Sequence, residues 1–138
     1  MNSPHDVKNC RKCHYLRVLA IVFWTSGLVV LSLLPSVDIN YYIAWQDKAF
    51  HFLAYLLTAW LACRFLQLFS FSVASSVIIS MIYSVVLGGL LEYLQQAATR
   101  TRTAEWLDLL ANIIGAACGC AVFCLHEKIK SRNDKTLG

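Results

Sequence analysis

Residues 72–94 read SVASSVIISMIYSVVLGGLLEYL, and Glu92 is the one residue in them that carries a formal charge. A helix rises about 1.5 Å per residue, so a run of this length reaches across the roughly 30 Å hydrocarbon core of a bilayer. Working outward, three further apolar blocks of similar size occupy 16–34, 49–69 and 107–125. The chain has 138 residues, of which 58% are hydrophobic and 14% charged, with a mean hydropathy of +0.56. Such blocks leave little sequence for a separate soluble domain. The reading is an all-α integral membrane protein with four transmembrane helices. A basic flank at 1–15 precedes the helical domain at 16–125, and a basic tail follows at 126–138.

The first block follows Lys8, Arg11, Lys12 and Arg17 and so imitates a signal peptide. It exceeds the usual apolar core of about 7–15 residues, and Pro35-Ser36-Val37 is not a small-x-small cleavage site. A retained helix is expected. Lys and Arg near helix ends mark the cytoplasmic side. Four crossings place the N-terminal basic residues, Arg64, and Lys128, Lys130, Arg132 and Lys135 together. Opposite them fall Lys48, Arg100 and Arg102, accompanied by Asp38, Asp47, Glu105 and Asp108. Both termini are therefore expected in the cytoplasm, with the protein in the bacterial inner membrane. Tyr41, Tyr42, Trp45, Tyr93 and Trp106 gather at the opposite boundary, where amphipathic rings settle between headgroup and acyl chain. The net charge of +4 is mainly this topological signal, and nothing in it forms a surface for nucleic acid.

Six cysteines invite a redox or metal reading. Cys10-Arg11-Lys12-Cys13-His14 matches the pattern of c-type haem attachment, but its basic surroundings place it on the cytoplasmic side, where that attachment does not occur. Cys118, Cys120, Cys124 and His126 end the fourth block and, with Cys10, Cys13 and His14, raise the question of zinc. Cys118 and Cys120 point about 200° apart on a helix, and a buried thiol usually behaves as a small apolar group. Reduced structural thiols, no metal and no cofactor are expected.

Ser72, Ser76, Ser80, Ser84, Gly88 and Glu92 recur every fourth residue, forming a small-residue stripe that ends in a carboxylate. In the fourth block Asp108, Asn112, Gly115 and Gly119 share a face. Small residues allow close helix approach in lipid, so Ser76, Ser80, Ser84, Gly88, Gly115 and Gly119 read as packing positions, and seams of this kind permit a homodimer. Asp47, His51 and Tyr55 lie on one face of the second block, with Asp47 suited to the positive end of the helix dipole. A charge inside hydrocarbon costs about 2.5–3.5 kcal/mol on insertion scales, so such residues are seldom idle. Antiparallel threading brings Asp47, His51, Glu92, Asp108 and Asn112 to one end, the expected site of any chemistry.

Taken in order, Asp47-Lys48-x-x-His51-Phe52-x-x-Tyr55, Gly88-x-x-x-Glu92-x-x-Gln95, and Arg102 followed by Asp108-x-x-x-Asn112-x-x-Gly115-x-x-x-Gly119 resemble the VanZ-like family. The resemblance covers about residues 15 to 125. It implies a four-helix membrane topology and makes Asp47, Lys48, His51, Glu92, Gln95, Arg102, Asp108 and Asn112 the signature polar positions. The family takes its name from a protein associated with teicoplanin resistance, which implies association with the cell envelope and not a mechanism. Thr99-Arg100-Thr101-Arg102 holds two arginines where the family pattern has one. Arg102 is chosen by its distance to Asp108, with Arg100 as the alternative.

The expected partner is membrane lipid, together with a lipid-linked cell-wall intermediate or a glycopeptide whose polar headgroup enters an outward-facing pocket. Arginine suits that task because its planar fork pairs with phosphate or carboxylate through two hydrogen bonds. A membrane-embedded enzyme using His51 or a carboxylate as general base is the alternative, although no nucleophile elbow, phosphate loop or convincing ligand set names a reaction. A proton pathway is disfavoured because no carboxylate relay continues through the other half of the helices. The same residues also suit a self-satisfied ionic lock.

Overall fold

A computed structural model of the chain describes residues 4–33, 44–98 and 106–136. These form four helices: α1 (Pro4–Leu33), α2 (Ala44–Leu66), α3 (Val73–Ala98) and α4 (Trp106–Thr136). A single 3-10 turn, Gln67–Phe69, joins α2 to α3. Four stretches are long and apolar enough to cross a membrane: His14–Leu33, Gln46–Phe69 (α2 with its 3-10 turn), Val73–Ala97 and Trp106–Asn133.

Two helices run well past their apolar blocks. α1 begins at Pro4 and α4 continues to Thr136, so much of both basic flanks is helical. Proline is well placed in a first turn because its missing N–H has no helical partner there. The α4 extension is rich in Lys, Glu and Arg, good helix formers, and ends with Lys135 at the negative pole of the dipole. Ser72 departs from the packing stripe read in the sequence. Its Oγ accepts the Ser75 backbone N–H at 3.1 Å, so it caps the exposed start of α3, and the buried stripe begins at Ser76.

Side-chain pairings fix the register. Lys48 meets Asp108, His51 meets Asn112 and Arg64 meets Glu127, so α2 and α4 run in the same direction. α3 runs against both, with His51 facing Glu92 and Cys120 facing the Val77 carbonyl. α1 runs with α3, as Thr25 meets Tyr83 and Gln95 meets the Ser32 carbonyl. The result is an up-down-up-down bundle. The first and last described residues share one end with Arg17 and Arg64, while Asp47, Glu92 and Asp108 occupy the other.

The α2–α4 seam is the tightest. A Cβ at Gly115 would strike the Phe52 carbonyl oxygen, and one at Gly119 would strike that of Leu56. Backbone approach this close is how helices associate in lipid, where apolar burial gives no separate drive. Below the seam Ala59, Cys63, Ala116, Cys120 and Phe123 form the core, with Trp60, Val77 and Met81 against it. Gly115 and Gly119 thus pack against α2 within the chain.

α1 stands at the edge. It is fastened by Trp24 Nε1 donating to Thr58 Oγ1 at 2.9 Å and by the Thr25–Tyr83 hydroxyl pair at 3.0 Å. Its outer face leaves Phe23 82% exposed. Large apolar side chains are likewise exposed on the outer faces of α2, α3 and α4, including Leu53, Ile82, Val86 and Leu125. Trp106, 84% exposed, and Tyr93 stand at the acidic end. Tyr41, Tyr42 and the side chain of Trp45 lie outside the described residues.

Candidate functional site

Three helix ends build the polar cluster. The first turns of α2 supply Asp47, Lys48 and His51, the last turns of α3 supply Glu92 and Gln95, and the start of α4 supplies Asp108 and Asn112. Asp47 and Asp108 each lie in a first helical turn, where the positive pole of the dipole favours a carboxylate. Because α2 and α4 run in parallel, these two poles come side by side.

His51 is the hub. Its Nδ1 lies 3.1 Å from Asn112 Oδ1 and 3.8 Å from Glu92 Oε1, while Nε2 lies 4.0 Å from Asp47 Oδ1. An amide oxygen only accepts, so the short contact makes His51 Nδ1 the donor. Lys48 Nζ pairs with Asp108 Oδ1 at 3.4 Å, and Asp108 is only 5% exposed. Removing one member of such a buried pair typically costs about 3–5 kcal/mol because the other charge is stranded.

Asn112 is 1% exposed, and its Nδ2 has no hydrogen-bond partner among the described residues. An unmade hydrogen bond at that depth costs about 1–3 kcal/mol, so the side chain is held there at a penalty. Gly88 provides the space. A Cβ at Gly88 would come within 3.1 Å of Asn112 Nδ2 and 3.2 Å of the Tyr55 ring, so this glycine accommodates the site as well as a helix contact. Gln95 has a different task from the rim of the cluster. Its Nε2 donates to the Ser32 carbonyl at 2.9 Å, satisfying one of the orphan carbonyls at the end of α1.

Beside the cluster an open-sided cavity of about 660 Å³ separates α1 from α2 and α3. Asp47, His51, Glu92 and Gln95 form its polar end, and Trp24, Leu28, Leu31, Leu53, Leu57 and Leu91 are among its apolar walls. Asp108 and Asn112 lie behind His51. Arg100, Arg102 and Glu105 lie outside the described residues. The described cluster is acidic, with Asp47, Glu92 and Asp108 against Lys48.

Among the described residues the thiols form no tetrahedral set. Cys63 and Cys120 meet in the core at 4.0 Å between sulfurs, Cys118 is half-buried, and Cys124 is exposed. His126 lies beside Arg64 and Glu127, and the side chains of Cys10 and Cys13 lie outside the described residues. The group whose ligand atoms do converge is Asp47, His51 and Asp108, all within 4.8 Å of one another. Sequence reading named these residues but not as ligands. In the sequence the cysteines are the conspicuous metal-ligand types, and Asp108 joins Asp47 and His51 only through the register of α4 on α2. The Cys63–Cys120 contact and the Trp24–Thr58 bond are likewise set by tertiary register. Their only sequence signal is a polar or sulfur-bearing residue inside an apolar block.

Set against protein-family models, curated proteins and solved structures, the chain shows no match.

Proposed function

We propose that the chain is a multi-pass protein of the bacterial cytoplasmic membrane, of the VanZ-like type, with both termini in the cytoplasm. Its pocket at the outer leaflet binds the polar headgroup of an amphiphile, a lipid-linked cell-wall intermediate or a teicoplanin-type glycopeptide, and so serves the cell envelope or glycopeptide tolerance. The observation that carries this reading is the cavity of about 660 Å³, whose walls suit an acyl chain and whose far end carries Asp47, His51, Glu92 and Gln95. An amphiphile has the same division of polarity. The carboxylates favour headgroup hydroxyl or ammonium donors, and Arg102 is the group suited to a phosphate or carboxylate.

Identification of the lipids and glycans that copurify with the protein tests the reading. A bound amphiphile is expected with wild type and lost with Asp108→Asn. Arg102→Ala is expected to weaken headgroup binding while the protein stays folded, and unchanged binding in that variant discards the arginine's role.

His51, with Glu92 and Asp47 on either side of its ring, supports a second reading as an acid/base enzyme acting on the same class of lipid. Turnover of a candidate lipid by purified protein, abolished in His51→Ala, distinguishes it. No turnover across the headgroup classes leaves binding alone.

A further inference from the structure

α1 borders a second cavity, of about 450 Å³, to which the headgroup reading assigns nothing. The first cavity lies beside Leu28 and Leu31 of α1, towards the acidic end of the bundle, and the second beside Ile21 and Thr25, towards the basic end. Across from α1 the walls of the second include Ala62 and Phe65 of α2 and Ile79 of α3. The Thr25–Tyr83 hydroxyl pair lines its deep end.

Arg17 stands at the mouth of this groove. Arg17, Ile21 and Thr25 follow at four-residue steps along one side of α1, so the arginine lies about 12 Å along the helix from Thr25. It crosses to α2, where its Nη1 donates to the Arg64 carbonyl oxygen at 3.5 Å, between the wall residues Ala62 and Phe65 in sequence. That bond uses one guanidinium N–H and leaves the rest of the fork. Among the described residues no carboxylate lies within ion-pair distance of Arg17, whereas Arg64 is paired with Glu127 and Lys48 with Asp108. Arg17 is also half-buried, unlike Lys128, Lys130 and Arg132, which are exposed on the α4 extension.

We propose that the second cavity binds an anionic phospholipid of the leaflet at the basic end, with one acyl chain along the groove and the phosphate on the Arg17 guanidinium. Charge complementarity selects this occupant. The apolar walls end at a cation that no described carboxylate neutralises, and a guanidinium fork takes two phosphate oxygens at once. A zwitterionic lipid brings an ammonium to the same place and loses part of that attraction. In lipid no apolar drive closes the gap between α1 and its neighbours, so a chain lying there supplies packing that α1 does not. The two cavities are then divided by charge, an acidic end in one and a basic end in the other. The inference rests on the second cavity and not on the headgroup reading.

The full-length protein is reconstituted in phosphatidylcholine bilayers with a trace of phosphatidylglycerol or phosphatidylcholine spin-labelled on the acyl chain, and electron paramagnetic resonance reads the fraction of label immobilised on the protein. Phosphatidylglycerol is expected to be favoured by about 5-fold, the contribution of one basic residue near an anionic headgroup. Arg17→Gln, which keeps an apolar stem, is expected to erase the preference, and Arg17→Lys to retain part of it. Ser26→Phe places a ring in the groove from an exposed position of α1 and is expected to expel the labelled chain with Arg17 intact. Lys130→Gln combined with Arg132→Gln controls for diffuse attraction and is expected to leave the preference in place. Circular dichroism and gel filtration report folding, and where Arg17→Gln does not fold, Ser26→Phe decides. Equal immobilisation of the two lipids by wild type overturns the site, as does a preference that survives Arg17→Gln or Ser26→Phe, or one that disappears in the Lys130→Gln, Arg132→Gln variant. An amphiphile that copurifies with Arg17→Gln but is lost with Asp108→Asn belongs to the first cavity, so the failure of this site and the failure of the headgroup reading are distinguishable.

Discussion

Gly88 and Gly89 are neighbours of identical chemistry with opposite roles. A side chain at Gly88 enters the space of Asn112 and Tyr55, whereas a Cβ at Gly89 meets nothing within 4 Å. Gly88→Val is therefore expected to destabilise the bundle by about 1–3 kcal/mol through overpacking, and to displace Asn112 from His51. Gly89→Ala is expected to be neutral or stabilising by up to about 1 kcal/mol, because alanine is the better helix former. Thermal unfolding in detergent, comparing the two variants, checks the pair; equal losses would show that Gly88 has no special part in seating Asn112. At this scale the sequence is a partial guide. The i, i+4 spacing puts Asp47, His51 and Tyr55 on one face, but the tautomer of His51 depends on Asn112, whose approach depends on Gly88. That chain of dependence runs through three helices and leaves no local periodicity to read.

At the scale of the element, the four helices were legible because each apolar block is about one bilayer long. Their true lengths were not. Hydropathy ends near residues 16 and 125, yet the hydrogen-bonded ladder continues through the charged flanks, where helix propensity and not burial sustains it. Ser72 was read as part of a stripe because a four-residue period does not distinguish a packing position from a cap. The α2–α4 register was equally hidden, since it is set by where Gly115 and Gly119 let one backbone settle on another. Gly115→Ala tests that register. Its Cβ would strike the Phe52 carbonyl oxygen, a backbone atom that cannot rotate aside. A loss of about 1–3 kcal/mol is expected, together with weaker pairing of Lys48 with Asp108, which the register aligns. Stability measured together with Cys63–Cys120 cross-linking efficiency reports both effects; a variant that matches wild type in each would mean that α4 seats elsewhere.

For the whole molecule, charge is segregated by end. Arg17, Arg64 and the basic α4 extension lie at one end, and the acidic cluster at the other. With the positive end in the cytoplasm, a fluorescent protein fused after residue 138 is expected to fluoresce and a periplasm-dependent phosphatase there to stay inactive. The reverse pattern would turn the pocket inward and exclude a ligand from the outer leaflet. The parallel pairing of α2 with α4 also has a consequence for biogenesis. During synthesis Asp47 and His51 enter with α2 and Glu92 with α3, but the aspartate and carboxamide that complete their surroundings arrive only with α4. Until then the acidic mouth is unfinished and the backbone groove at Phe52 and Leu56 is unfilled. A chain stalled before residue 106 is left with both features uncovered, which makes the arrival of α4 the step that separates a nascent chain from a finished one.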